Sequence, residues 1–161
     1  MNEPSPFRIV PMIAACVLPG LGHVLGGERV RGVCVGAGVL GLFFGGMLIG
    51  GIDAVDSRED RIWFLGQALV GPVAFGVDYL HQNHFKVIDP TTHQLRSAYP
   101  TEGRDPKTGV AVPGGTPPNV KSVGKMNELG TLFATVAGML NVIAVIDAGF
   151  PVRSRSGGGK P

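Results

Sequence analysis

Four apolar stretches, Ile9–Gly27, Val33–Ile52, Ile62–Leu80 and Leu129–Ile146, alternate along the chain with polar segments. Each is 18 to 20 residues long, the length a helix needs to cross ~30 Å of hydrocarbon at ~1.5 Å rise per residue. A helix on the surface of a soluble domain carries polar residues down one side. Val33–Ile52 carries no charged residue on any side. The pattern predicts an all-α integral membrane protein with four transmembrane helices. The first two form a tight antiparallel hairpin, because Glu28-Arg29-Val30-Arg31 leaves room only for a turn.

The same pattern divides the chain into an N-terminal tail (1–8), the transmembrane hairpin (9–52), an acidic linker (53–61), a third span (62–80), a polar flexible loop (81–126), a fourth span (127–150) and a disordered basic tail (151–161). The loop is rich in proline and glycine, as in Asp105-Pro106-Lys107-Thr108-Gly109 and Pro113-Gly114-Gly115. Such a stretch has too little apolar surface to fold by itself. The aromatic residues Trp63 and Tyr79 bracket the third span, as interfacial anchors do.

Composition agrees with the pattern. Charged residues make up 16% of the 161, against ~25% in soluble domains, and of the Asp, Glu, Lys and Arg residues only Asp78 lies within the four stretches. A net charge of +2 without a Lys/Arg cluster excludes nucleic acid as a partner. The expected partners are the lipid bilayer itself and, through glycine faces, a second copy or another membrane protein. Gly32/Gly36, Gly41/Gly45 and Gly46/Gly50 are each four residues apart, and Gly130, Ala134 and Gly138 repeat that spacing. Small faces of this kind let helix backbones approach closely in lipid. Cys16 and Cys34 lie within apolar stretches and read as packed thiols.

Chemistry is sparse. Four spans would put both termini on one side, together with the linker and Asp147. The opposite side would hold His23, Arg29, Arg31, Asp78, His81, His84, Asn127 and Glu128. Asp78, His81 and His84 are spaced by three and are chemically suited to zinc or iron, but they fan over ~120° of a helix at 100° per residue. They are assigned no metal. Asn141 lies deep in the fourth span and is expected to bond another helix; Asp147 lies near its end. Gly20-x-Gly22-x-x-x-Gly26 lacks the strand, helix and downstream acid that a nucleotide loop requires. No hydrolase signature occurs, so no catalytic residue, cofactor or metal is assigned.

Pro19-Gly20-Leu21-Gly22-His23, followed by Gly27, Arg29, Arg31 and Gly32, is similar to the glycine turns of small bacterial membrane proteins. With Asn127-Glu128-Leu129-Gly130-Thr131 and the run through Asn141 to Asp147, it resembles an uncharacterised bacterial membrane family, domain of unknown function 6677. The resemblance covers 9–52 and 127–150 and departs at Val24-Leu25, where an aromatic is usual. It implies a membrane protein, in bacteria one of the cytoplasmic membrane, and carries no catalytic residue. The expected function is therefore a non-enzymatic structural or interaction protein, with His23–Arg31 as its recognition face. Two alternatives stand beside it: a small transporter or channel subunit, and a membrane enzyme using Asp78, His81, His84 and Glu128.

Overall fold

In a computed structural model, residues 7–120, 122 and 125–150 are described. The fold is mostly helical and is organised around two long antiparallel helices, Arg29–Gly50 and Met126–Gly149. With the shorter helices Ile9–Val17 (α1) and Leu21–Leu25 (α2) before them, these are α3 and α6; Arg61–Ala68 (α4) and Pro72–Leu80 (α5) lie between. At 22 and 24 residues, α3 and α6 are ~33 and ~36 Å long. Both are long and apolar enough to cross a membrane.

The first and third apolar stretches are not spans. Each is broken in the middle into a hairpin about half the length of α3. In the first, α1 ends at Val17, and the chain turns at Pro19-Gly20, where Gly20 has φ +84°. Proline has no N–H to continue a helix, and that φ is open to glycine and strained for other residues. The short α2 then returns the chain to its starting end. In the third, α4 ends at Ala68, Gly71 has φ +110°, and Pro72 opens α5 in the reverse direction. The expected four transmembrane helices are thus corrected to two long helices and two half-length hairpins.

The hairpins enter from opposite ends. Arg8 N–H donates to the Gly149 carbonyl (3.0 Å), fixing the start of α1 beside the end of α6. The second hairpin starts beside the opposite end of α6, where Thr135 Oγ1 reaches the Trp63 carbonyl at 3.4 Å. Their tips meet partway along the bundle: a side chain on Gly71 would strike the Cys16 carbonyl. Asn141, fully buried, donates from Nδ2 to the Leu69 and Val70 carbonyls at 2.9 and 3.4 Å. These are carbonyls that the end of α4 leaves without helical partners. Asn141, expected to bond another helix, bonds the turn between α4 and α5 instead.

Glycines set the spacing. Gly46 and Gly50 pack on Gly130, Gly66 packs on Gly138, and Gly32 and Gly36 receive the Pro19–Gly20 turn. Gly41 and Gly45 face open space. The core between these elements joins Val39 and Phe43 of α3, Val70 at a hairpin tip, Ala74 and Val77 of α5, and Ala134 and Ala137 of α6.

Residues 81–126, expected as a flexible polar loop, contain ordered strands. Val87–Ile88 (β1) pairs antiparallel with Leu95–Arg96 (β2), and Glu102–Arg104 (β3) with Ala111–Pro113 (β4). The polar side chains build these turns themselves. Asp89 accepts the Thr91 and Thr92 N–H groups, and Asp105 those of Lys107 and Thr108, as Asx turns do. Arg96 then ties Asp89 (2.8 Å) to Glu102 (2.7 Å) across the two hairpins. Hydrogen bonds from Thr91 and then Arg96 hold the Asp89 carboxyl well below the usual carboxylate range, and Arg96 does the same for Glu102.

Candidate functional site

Two polar clusters stand at opposite ends of the α3–α6 pair. The first forms where α2, the start of α3 and the end of α6 meet. His23 is buried on α2, and its Nε2 lies 2.7 Å from Asp147 Oδ2. Arg31, half-exposed, reaches the same oxygen at 2.5 Å and Glu28 at 3.0 Å. Arg29 is exposed at the first position of α3. The other ring nitrogen of His23, Nδ1, is buried and has no hydrogen-bond partner among the described residues. Beside this cluster a cleft of about 410 Å³ runs between α3 and α6. His23, Arg31 and Asp147 lie at its polar mouth, and Val35, Val39, Leu140 and Ile143 form its apolar walls.

The second cluster forms where α3 ends, α5 ends and the linker folds over both. Asp53, Asp56, His81, Gln82 and Lys86 are all buried there. Lys86 contributes the central cation: its ammonium, with no exposed surface, lies 2.5 Å from Asp56 and 2.8 Å from Glu59. Asp56 also accepts the Arg58 and Glu59 N–H groups and Gln82 Nε2. Burial pushes the Asp56 carboxyl up, but Lys86 and the two backbone donors outweigh it and leave the carboxyl below its ordinary 3.8. Asp78 accepts Ser57 N–H (2.8 Å), Ser57 Oγ–H (2.7 Å) and Gln82 Nε2–H (3.1 Å).

His81 sits in the five-residue π-helical turn His81–Phe85 that follows α5. Its Nδ1–H donates to the Val55 carbonyl at 3.1 Å, which turns Nε2 toward Asp53 Oδ1 at 3.4 Å. Asp53, Asp56 and His81 offer ligand atoms within 4.8 Å of one another. A metal held there would compete with the Lys86 ammonium for Asp56 and would be repelled by it. The buried lysine already meets part of the charge demand. The Asp78–His81–His84 grouping read from the sequence is not assembled: His84 is exposed, and Asp78 and His81 face different partners.

The remaining sequence candidates lie near this second end. Asn127 Nδ2 is 3.4 Å from the Gly50 carbonyl, and Glu128 is exposed in the first turn of α6. Both line an open depression of about 480 Å³ with Asp60, Trp63, Thr131 and Leu132.

The structure overturns the expected sidedness. His23 and Arg31 were placed opposite Asp147 but bond to it, and Asp78 and His81 were placed opposite the linker but bond to Ser57, Val55 and Asp53. The cause is the pair of hairpins: each returns the chain to the end it left. Sequence reasoning missed Asp53, Asp56, Gln67 and Lys86. Gln67 carried a usable signal, since an amide amid apolar neighbours needs a partner; it is fully buried and donates to the Ala54 carbonyl at 2.8 Å.

The sequence profile of a family of unknown function (DUF6677) matches residues 10–160. The chain belongs to this family. The match takes in the strand-bearing segment as well as the helices, so the two hairpins β1–β2 and β3–β4 are part of the DUF6677 unit. The resemblance carried by the glycine turn and the last helix was therefore correct as to family and too narrow in extent. No curated protein and no solved structure matches the chain.

Proposed function

We propose that this DUF6677 protein is an integral membrane protein, with α3 and α6 as spans and the two half-length hairpins re-entering from opposite faces. In this reading it acts in the bilayer as a non-enzymatic structural or interaction protein. The observation that carries the reading is where the apolar surface lies. Only 28% of the most apolar window of α3, and 44% of that of α6, is buried, whereas the core helix of a soluble protein is mostly covered. Leu48, Ile62, Leu65 and Ile143 are all more than 60% exposed. Water would leave that surface unpaid for; lipid would not.

Irregular backbone at membrane depth is tolerated where protein covers it. The tip capping by Asn141 and the Gly71–Cys16 contact supply such cover. The recognition face is the end bearing His23, Glu28, Arg31 and Asp147. A small transporter or channel subunit is the second reading, favoured by the meeting of two half-length hairpins beside Asn141, an arrangement found around transport sites. The enzyme reading has less support, because no hydrogen bond or ion pair among the described residues joins Asp78, His81, His84 and Glu128.

Alkaline carbonate extraction of membranes from expressing cells tests the reading. The protein is expected to stay in the pellet and to need detergent for release. Recovery in the carbonate supernatant, as a monodisperse species without detergent, would refute it.

A further inference from the structure

The α3–α6 cleft has the form of an amphiphile site, and its mouth specifies the head group. This inference rests on the membrane reading above, since it places the mouth at a span end, level with lipid head groups. The volume of about 410 Å³ is within the range of ligand pockets. Arg31, Cys34, Val35 and Gly38 recur at helical spacing along one face of α3, and Leu140, Ile143, Ala144 and Asp147 do so along α6. The charge therefore sits at one end and an apolar channel runs from it.

The mouth is not cationic overall. Arg31 is set between the carboxylates of Glu28 and Asp147, so a purely anionic head would meet as much repulsion as attraction. Both signs nevertheless have unused capacity. Guanidinium has five N–H donors, and Arg31 engages through two of its nitrogens. Asp147 accepts His23 and Arg31 on Oδ2 alone, leaving Oδ1 as an acceptor. An anion and a hydrogen-bond-donating cation, carried a few ångströms apart on one molecule, would fill both.

We infer that the cleft binds an aminophospholipid of the phosphatidylethanolamine type. One acyl chain lies between α3 and α6, the phosphate meets Arg31, and the primary ammonium donates to Asp147. Phosphatidylcholine carries the same charges but has no N–H to donate, and phosphatidylglycerol has no cation. The discrimination therefore falls on Asp147. Gly38 provides the steric handle: it lines the cleft, and a side chain there meets no atom within 4 Å, so leucine would occupy the channel without displacing backbone.

Native mass spectrometry of the detergent-purified full chain, titrated with each of the three lipids, tests this. One equivalent of phosphatidylethanolamine is expected to bind about tenfold more tightly than phosphatidylcholine or phosphatidylglycerol, the difference made by one charge-assisted hydrogen bond. Asp147→Asn should bring it to the phosphatidylcholine level. Gly38→Leu should abolish retention, and Gly41→Leu, whose side chain also meets nothing within 4 Å but lies off the cleft, should retain the lipid. Equal binding of the three lipids, or retention unchanged in Gly38→Leu, would overturn the assignment, as would a second protein copy in place of the lipid. These results leave carbonate extraction untouched, so failure of the lipid site is distinguishable from failure of the membrane reading.

Discussion

Lys86→Met is expected to lower the thermal unfolding midpoint of the detergent-solubilised protein by about 10 °C. Lys86 has no exposed surface, and its partner Asp56 is 1% exposed. Removing one member of such a pair leaves the other as an uncompensated buried charge, at a cost of ~3–5 kcal/mol. For a chain of this size each kcal/mol moves the midpoint by ~2–4 °C. Adding Asp56→Asn should recover part of the loss, because the amide keeps an acceptor for the Arg58 and Glu59 N–H groups and needs no counter-ion.

The same pair gives a pH signature. Asp56 is held below 3.8 in the folded state, so the unfolded chain takes up protons first as pH falls. The contribution is present at neutral pH and is lost as pH drops below 3.8 through the folded value. Lys86→Met should remove most of that acid dependence. A midpoint within 1 °C of the parent would mean that the cluster is solvated and does not hold the linker to α5.

The second large effect is expected at Gly138. A side chain there would strike the Gly66 carbonyl oxygen, a backbone atom that can yield only if α4 moves away from α6. Forcing extra methyls into a closed interface costs ~1–3 kcal/mol and more where backbone must shift. Gly138→Val should therefore give protein that aggregates on extraction, while Gly41→Val, facing open space, extracts like the parent. Size-exclusion profiles of the two variants after mild heating decide the matter. Equal recovery would show that the second hairpin does not dock on α6.

What the sequence disclosed depended on whether a signal was summed or local. The stretches that became α3 and α6 are continuous, so hydropathy over a window finds them. The first and third stretches are of similar length and are also rich in apolar residues, but Gly20 and Gly71 adopt positive φ next to a proline, and a window average does not register a reversal of direction. Pro19-Gly20 was visible as a break; Gly71-Pro72 carries the same signal and was read through. Since sidedness follows from the number of crossings, both missed reversals moved whole groups of residues to the wrong end.

The sites divide in a similar way. His23, Arg31, Asp147, Asp78 and His81 were all identifiable as polar groups beside apolar segments, yet their partners were not, because bonds such as His23–Asp147 join residues 124 apart. Asp53, Asp56 and Lys86 looked like solvated linker and loop charges. Only the π-helical turn after α5 brings Lys86 back under the linker. The strand-bearing segment escaped because its order comes from Asp89, Asp105 and Arg96 rather than from apolar surface.

The central claim is that two helices cross and two hairpins turn back. Single cysteines at Arg29, Arg58 and Lys107, in a background with Cys16 and Cys34 replaced by alanine, test it directly. All three positions are exposed, and each is read with a membrane-impermeant maleimide on sealed, oriented vesicles. Two spans place Arg58 and Lys107 on the same side and Arg29 on the other. Labelling of Arg58 from the side opposite Lys107, with Arg29 now sharing the side of Lys107, would mean that four helices cross and would contradict the account.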